Sequence, residues 1–501
     1  MFKSKPLQPL AYSAIILISL FWSACSQNNK EYKAKDSKVQ KSEMILKPFA
    51  DNNEVYPPDS IYSGPFFKAN YNYPESVAPK DYPWETITEG KAISQENASE
   101  YIMSIREYIK DAMEVMINEP ENWPSSEYRK DWYNMGWSAQ SYDSATGWKG
   151  LETVYGTMTG QVLKNGIFKD YGFEGPMQNH ALVYYNDVAT LTLNKLWKSN
   201  DKNGFYPEYS TDAAQFKQNA IIIKAAGTTA TGDDWDIMEG AGTFPIYREM
   251  EFGPMKGKNP VLQELAWIQF DIIIKDTIAA PETGWVFSTF IYDKESDGKT
   301  IFDRLELLGV SWGNDPDKMG TTKALSETYI NPDAPEYYKA NIGYGDRLSG
   351  PIDVALVGGM KADGTPDSVF VLDENGKASG GKSYLHFRAS ACMSCHGTAT
   401  FPPQNDFYPS PKQNLVYTDT LYNPLSKGWG NYYQNRPGTE IMPALDGEQK
   451  ATMALDYDLF MQFALNNSRL AGNYNDKPEK PENYKGLSHE KYPALYMPRS
   501  K

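Results

Sequence analysis

The spacing of hydrophobic residues predicts one long helix early in the chain. Between residues 95 and 118, large apolar side chains recur every three or four positions, at Ile102, Ile105, Ile109 and Met113. This spacing gives a helix one apolar face. Ser94 can cap the first turn and Pro120 cannot continue the last one, so we predict a helix from Gln95 to about Asn118.

From about residue 220 the pattern changes to short runs of β-branched and aromatic residues bounded by Gly, Asp and Pro, which are typical of antiparallel strands. The predicted strands are Ala220 to Ala225, Ala266 to Lys275 and Trp285 to Tyr292, with weaker patterns at Ile301 to Ser311, Asp353 to Val357 and Ser368 to Leu372. A second helix is predicted over residues 447–467, where apolar side chains again form a stripe.

These elements predict an α+β fold. Its larger part, residues 61–375, is an aromatic-rich antiparallel β region of sandwich-like form, and its smaller part, residues 376–501, is mainly α. The Gly, Ser and Lys residues from Asn375 to Lys382 mark the boundary between the two. A chain of 501 residues has enough material for both parts.

The N-terminus predicts export and anchoring. Lys3 and Lys5 precede an apolar run, Leu10 to Trp22, which has the length of a signal-peptide core and is too short to span a membrane comfortably. We predict that residues 1–24 are a lipoprotein-type signal peptide, that Cys25 carries the lipid, and that residues 25–60 are a polar tether. The expected location is the periplasm or cell envelope, at the membrane. An ordinary cleaved signal with a stray cysteine is the alternative.

The formal net charge of -15 argues against nucleic-acid binding, which needs clustered Lys and Arg side chains. The same charge suits docking with a redox partner protein that has a basic surface, although solubility alone also explains it.

The segment from Cys392 to His396 carries the strongest chemical signal. It reads Cys-Met-Ser-Cys-His, and this spacing lets two thioethers hold a haem while the next imidazole binds its iron. Cys25 is the third of only three cysteines, so no thiol is left over. We therefore predict one covalent haem c at Cys392 and Cys395. His396 is the predicted proximal ligand, and its other ring nitrogen should have a carbonyl partner.

Two other readings of the same residues stay open. A zinc site would combine Cys392 and Cys395 with two histidines from His180, His386 and His489. A redox disulfide between the two cysteines would need a thioredoxin-like βαβ context, and the pattern of the chain does not show one.

The second axial ligand of the iron has several candidates. Met442 lies in a loop ahead of the second predicted helix, an arrangement similar to the methionine loop of small c-type cytochromes. A core-packed methionine is the plain alternative. Ligation by His489, His180 or His386, and an open sixth position that admits peroxide or gases, are the others.

Several strings in the chain resemble the exported bacterial proteins known as cytochrome c family proteins. They are Gly284 to Phe290, Trp312 to Pro316, Glu327 to Pro332, Arg347 to Pro351, Cys392 to His396 and Leu455 to Tyr457. The resemblance runs from about Trp132 to Leu465. It implies one c-type haem bound through Cys392, Cys395 and His396, in a protein whose long N-terminal region belongs to the same unit, and it supplies no distal ligand.

The sequence thus predicts an exported, membrane-anchored mono-haem c-type cytochrome, an electron-transfer protein rather than an enzyme. One alternative is a haem-dependent oxidoreductase, peroxidase-like or oxidising a small molecule held by the N-terminal region. Another is a haem-based ligand sensor or a glycan-binding surface lipoprotein, because 35 tyrosines and 12 tryptophans offer platforms for sugars.

Overall fold

The structure is a computed structural model. It describes residues 47–140, 150–163, 165–197, 207–250, 260–318, 324–339, 392–405, 431–444 and 449–469, and the backbone of four short strands between residues 355 and 387. The chain divides into two units, residues 1–44 and 45–501, and every described residue belongs to the second. The predicted signal peptide, Cys25 and the first part of the tether lie outside the described residues.

The described helices are α1 (Pro83–Thr88), α2 (Ala98–Asn118), α3 (Asp187–Trp197), α4 (Cys392–His396) and α5 (Leu459–Ser468). Within the described part of the chain, no helix has the length and apolar character needed to cross a membrane.

The strands of the large sheet are β1 (Met158–Leu163), β2 (Met177–Tyr185), β3 (Ile221–Thr228), β4 (Thr243–Arg248), β5 (Val261–Lys275), β6 (Trp285–Tyr292), β7 (Leu305–Ser311) and β8 (Thr328–Ile330). The short strands are β9 (Ala355–Val357), β10 (Phe370–Leu372), β11 (Ala378–Ser379), β12 (Leu385–Phe387), β13 (Thr400–Phe401) and β14 (Met453–Ala454).

Eight strands form one antiparallel sheet in the order β1-β2-β3-β5-β6-β7-β8, with β4 paired to β5. Ala266 of β5 partners both Thr228 of β3 and Thr243 of β4, so β4 lies on the side of β5 away from β3. The long strand β5 therefore pairs with β4 through its first half and with β6 through its second half.

The two faces of this sheet carry separate hydrophobic cores, because successive residues of a strand point to opposite faces. Ile221 and Ile223 of β3 belong to the core that α2 covers, and we call this side the α2 face. Ile222 between them belongs to the other core, with Phe287 of β6 and Met393 of α4, and we call this side the α4 face. The segment that holds the predicted haem motif thus packs directly on the sheet.

The predicted mixed α and β fold, with a large antiparallel sheet and aromatic clusters, is confirmed. The strand Trp285–Tyr292 has the predicted bounds, and the apolar stripe of α2 is buried as expected. The helix predicted over residues 447–467 is wrong in its first half, where Met453–Ala454 is a strand and the helix begins only at Leu459. The division near residue 376 stays a prediction.

Gly227 lies in a tightly packed part of the sheet, where β3 pairs with β5. A methyl group at this position would lie 2.7 Å from the ring of Phe244 and 2.8 Å from Cβ of Leu265. We expect Gly227→Ala to lower the free energy of unfolding by about 1–3 kcal/mol, as for overpacked cores. The matched control is Gly175→Ala, whose methyl would come no closer than 3.3 Å to Phe173 and should cost less than about 0.5 kcal/mol. Equal urea midpoints for the two variants would contradict this packing.

Candidate functional site

Helix α4 places the three residues of the predicted haem motif on one short turn against the sheet. Met393, inside the motif, is fully buried in the core of the α4 face. Cys395 is buried and Cys392 is half-buried. The anchoring of Met393 therefore fixes where the two sulfurs and the His396 imidazole stand.

The ring of His396 is oriented by a backbone carbonyl. Its Nδ1 lies 2.8 Å from the carbonyl oxygen of Tyr457, just before α5. Because a carbonyl oxygen accepts and never donates, Nδ1 carries the proton and Nε2 keeps its lone pair. This is the kind of partner expected for a metal-binding histidine. The ring also packs on Phe287, with 4.6 Å between ring centroids.

The same surroundings keep the imidazole neutral. Burial lowers the pKa of His396 to about 4, and the hydrogen bond to Tyr457 opposes that shift without reversing it. Lys224 lowers this pKa further and Asp271 raises it. At neutral pH the ring is therefore in the form that binds a metal ion.

The two charges that act on the pKa of His396 form an ion pair on the α4 face, with a buried Asp271 and a half-buried Lys224. Lys224 of β3 and Asp271 of β5 are cross-strand partners, and Lys224 Nζ lies 2.8 Å from a carboxylate oxygen of Asp271. Thr289 donates to this carboxylate at 2.6 Å, and Gln269 donates to it at 2.7 Å. The carboxylate is thus fully hydrogen-bonded, as a buried charge requires.

Met442 lies beside the end of α4. It is 1% exposed, and its Cε would lie 3.2 Å from a Cβ placed on Gly397, the residue after the haem motif. Gln404 donates to the Met442 carbonyl at 2.6 Å, and Asn405 donates to the Pro443 carbonyl at 3.1 Å. The structure therefore brings this loop to the motif, while ligation of iron by Met442 stays a prediction.

Two of the strings that carry the resemblance join this region to the edge of the sheet. Asp315 belongs to the Trp312 to Pro316 string. Its carboxylate accepts hydrogen bonds from the backbone N–H groups of Ser326 and Glu327, at 2.7 and 2.9 Å. Glu327, which begins the next string, accepts from the side-chain amide of Asn435 at 2.9 Å. Asn435 belongs to the same described segment, residues 431–444, as Met442. These strings thus help to place the segment that carries Met442.

His180 does not join His396. It is fully buried on β2, five positions before Tyr185, whose side chain belongs to the α4 face, and the register of β2 with β3 is regular between them. An odd number of positions reverses the side of a strand, so His180 points to the α2 face. His489 lies outside the described residues, and only the backbone of His386 is described. Over the described ranges, no group of three or more His, Cys, Asp and Glu side chains could hold a metal ion.

The residues that support His396 were not predicted from the sequence. Tyr457 and Asp456 lie in the Leu455 to Tyr457 string, which gave a signal of resemblance and no role. Lys224 and Asp271 lie at polar positions of predicted strands, and the residues next to them in the chain do not indicate that they lie near the motif.

Comparison of the chain with protein-family models, with curated proteins and with solved structures gives no match. The resemblance to cytochrome c family proteins stays a prediction.

Asp458, the residue that caps α5, makes the stability of the folded protein depend on pH. Burial raises its pKa to about 6, although its carboxylate accepts from Met461 N, Phe460 N and the Tyr185 hydroxyl. An unfolded aspartate has a pKa of 3.8, so between about pH 4 and 6 the folded state keeps a proton that the unfolded state has released. The resulting stabilisation is present below about pH 4 and is lost as the pH rises to 6.

We expect the free energy of unfolding of the wild type to fall by up to about 3 kcal/mol relative to Asp458→Asn between pH 4 and pH 7. Asparagine can still cap α5, which makes it a matched reference. Urea unfolding of both proteins across this range measures the difference. A difference that does not change with pH would show that Asp458 has an ordinary pKa.

Proposed function

We propose that this chain is an exported, membrane-anchored mono-haem c-type cytochrome that transfers electrons. One haem c is bound covalently through Cys392 and Cys395, and His396 is the proximal ligand of its iron. The observation that carries the proposal is the hydrogen bond from Nδ1 of His396 to the Tyr457 carbonyl. It leaves a neutral, oriented imidazole with its Nε2 lone pair available, which is what a haem iron requires.

The residues present fit this cofactor. The haem would supply one-electron redox chemistry, while the chain holds it through the thioethers and sets its surroundings. In this proposal, residues 376–501 form a small, mainly α haem segment joined to the sandwich-like β region of residues 61–375. The packing of Met393, Phe401 and Met461 in one core with Phe287 supports this joining of the two regions.

Electron relay is the simplest role for such a site. A second ligand from the Met442 thioether would keep the iron low-spin and raise its reduction potential. The buried position of Met442 next to Gly397 supports this choice of ligand. The net charge of -15 supports a redox partner with a basic surface. Lipid on Cys25 would hold the chain at the membrane of the periplasm or cell envelope.

One observation favours the alternative of a haem-dependent oxidoreductase. Lys224 and Asp271 form a charged pair on the face that carries His396, and fixed charges beside a cofactor can move protons or orient a small substrate. Glycan binding has less support, because the large rings that would form a platform belong to the core. Those fully buried include Trp84, Trp123, Trp235, Trp267 and Trp285.

Covalent attachment is tested by removing the sulfurs. The full chain, produced in a host with cytochrome maturation machinery, should keep its haem through denaturing electrophoresis. The double variant Cys392→Ala with Cys395→Ala should lose it, because no thioether remains. Cys25→Ser is the matched control, since it removes a cysteine outside the motif and should keep the haem. Haem that stays on the double variant would contradict the proposed attachment.

The sixth ligand of the iron distinguishes an electron-transfer protein from a haem-dependent oxidoreductase. With Met442 on the iron, the ferric protein should show a near-infrared methionine-to-iron charge-transfer band that disappears in Met442→Ala. Met461→Ala is the control, because this methionine is buried within α5 and should leave the band in place. A high-spin ferric wild type that reacts with peroxide or carbon monoxide would instead support the oxidoreductase.

A further inference from the structure

The carbonyl that meets His396 belongs to a turn with an unfavourable backbone. Asp456 has φ 47° and Tyr457 has φ 68°, so two consecutive residues with side chains occupy the left-handed region. Residues other than glycine avoid this region because Cβ crowds the following carbonyl. Such a turn persists only when its surroundings hold it in place.

The carboxylate of Asp456 is the part of the turn that the sheet holds. Its Oδ1 accepts from Lys275 Nζ at 2.7 Å and from Trp285 Nε1 at 2.8 Å, and its Oδ2 accepts from Phe216 N at 2.8 Å. Lys275 and Trp285 are directly paired at the ends of β5 and β6. Two donors from the ends of β5 and β6, and a third from the segment before β3, therefore fix one carboxylate that is 1% exposed.

The close approach of this carboxylate to the loop before Met442 needs a glycine. A Cβ placed on Gly438 would lie 1.6 Å from Oδ1 of Asp456. On the other side of the turn, the Tyr457 hydroxyl donates to the Arg436 carbonyl at 2.8 Å. The turn is thus enclosed by the sheet and by residues 436–438.

We infer that Asp456 is a positioning residue for the haem iron. Held by Lys275 and Trp285, it fixes the turn that aims the Tyr457 carbonyl at Nδ1 of His396, and it thereby sets the strength of the bond between His396 and iron. This inference rests on the proposed function.

The consequence for the iron has a definite sign. An Nδ1–H group that donates to a well-placed carbonyl makes the imidazole a stronger electron donor, which favours the ferric over the ferrous iron. Moving the carbonyl away weakens that donation. The reduction potential should then rise, and the ligand field seen by the ferric iron should change.

Asp456→Asn is the first test. Asparagine has nearly the same volume and tolerates the left-handed region, so the turn can form, but it lacks the charge that balances buried Lys275. We expect the holoprotein to keep its covalent haem, its midpoint potential to shift to a more positive value, and the g values of its ferric paramagnetic resonance spectrum to change.

Gly438→Ala displaces Asp456 without altering its chemistry, and it should shift the potential in the same direction. It decides the question if Asp456→Asn does not fold. Tyr457→Phe is the matched control, because it removes the hydroxyl contact with Arg436 and keeps the peptide carbonyl. Its potential should stay at the wild-type value.

The outcomes separate the two proposals. If the wild type carries covalent haem and neither Asp456→Asn nor Gly438→Ala changes the potential, the inference is wrong and the proposed function stands. If Tyr457→Phe shifts the potential as much as Asp456→Asn, general loosening of the turn explains the effect and the inference is also wrong. If the wild type carries no haem, the proposed function fails, and the inference fails with it.

Discussion

The hydrogen bond between Nδ1 of His396 and the Tyr457 carbonyl is the interaction on which the site depends. It joins two segments that are 61 positions apart in the chain, and it decides which ring nitrogen keeps a free lone pair. One partner stands on α4, which Met393 anchors in the core. The other stands on a turn that Asp456 anchors to the ends of β5 and β6. The antiparallel sheet therefore holds both His396 and the Tyr457 carbonyl in position.

The buried ion pair between Lys275 and Asp456 fixes the position of the Asp456 carboxylate and adds little to the free energy of unfolding. Removing two charges from water costs several kcal/mol per ion, roughly what their attraction returns. What the pair adds is a unique position, because the carboxylate has three donors at 2.7 to 2.8 Å. A turn with two left-handed residues needs such a constraint.

The sequence allowed the local parts of this arrangement to be predicted. The period of α2, the bounds of β6 and the haem motif all follow from residues close together in the chain. Even the need for a carbonyl partner of His396 followed from metal chemistry, although its identity did not. Lys275 and Asp456 are 181 positions apart, so no local pattern can show that they meet.

The errors have the same origin. Apolar spacing predicted a helix through Asp456 and Tyr457, whereas contacts with distant residues hold both in a conformation that no right-handed helix contains. Strand β2 was not predicted, because Gln178, Asn179 and His180 interrupt its apolar pattern. These polar residues are buried in the structure, and their burial in the sheet outweighs their polarity.

The proposed function requires a porphyrin that is attached to α4 by two sulfurs. The most direct measurement is the reduced spectrum of the acid-acetone-extracted, full-length protein in alkaline pyridine. We expect the haem to stay with the protein pellet and to give the pyridine haemochrome of a doubly thioether-linked haem, at one haem per chain. Haem that is extracted into the acetone, or a pellet without a haemochrome band, would contradict it.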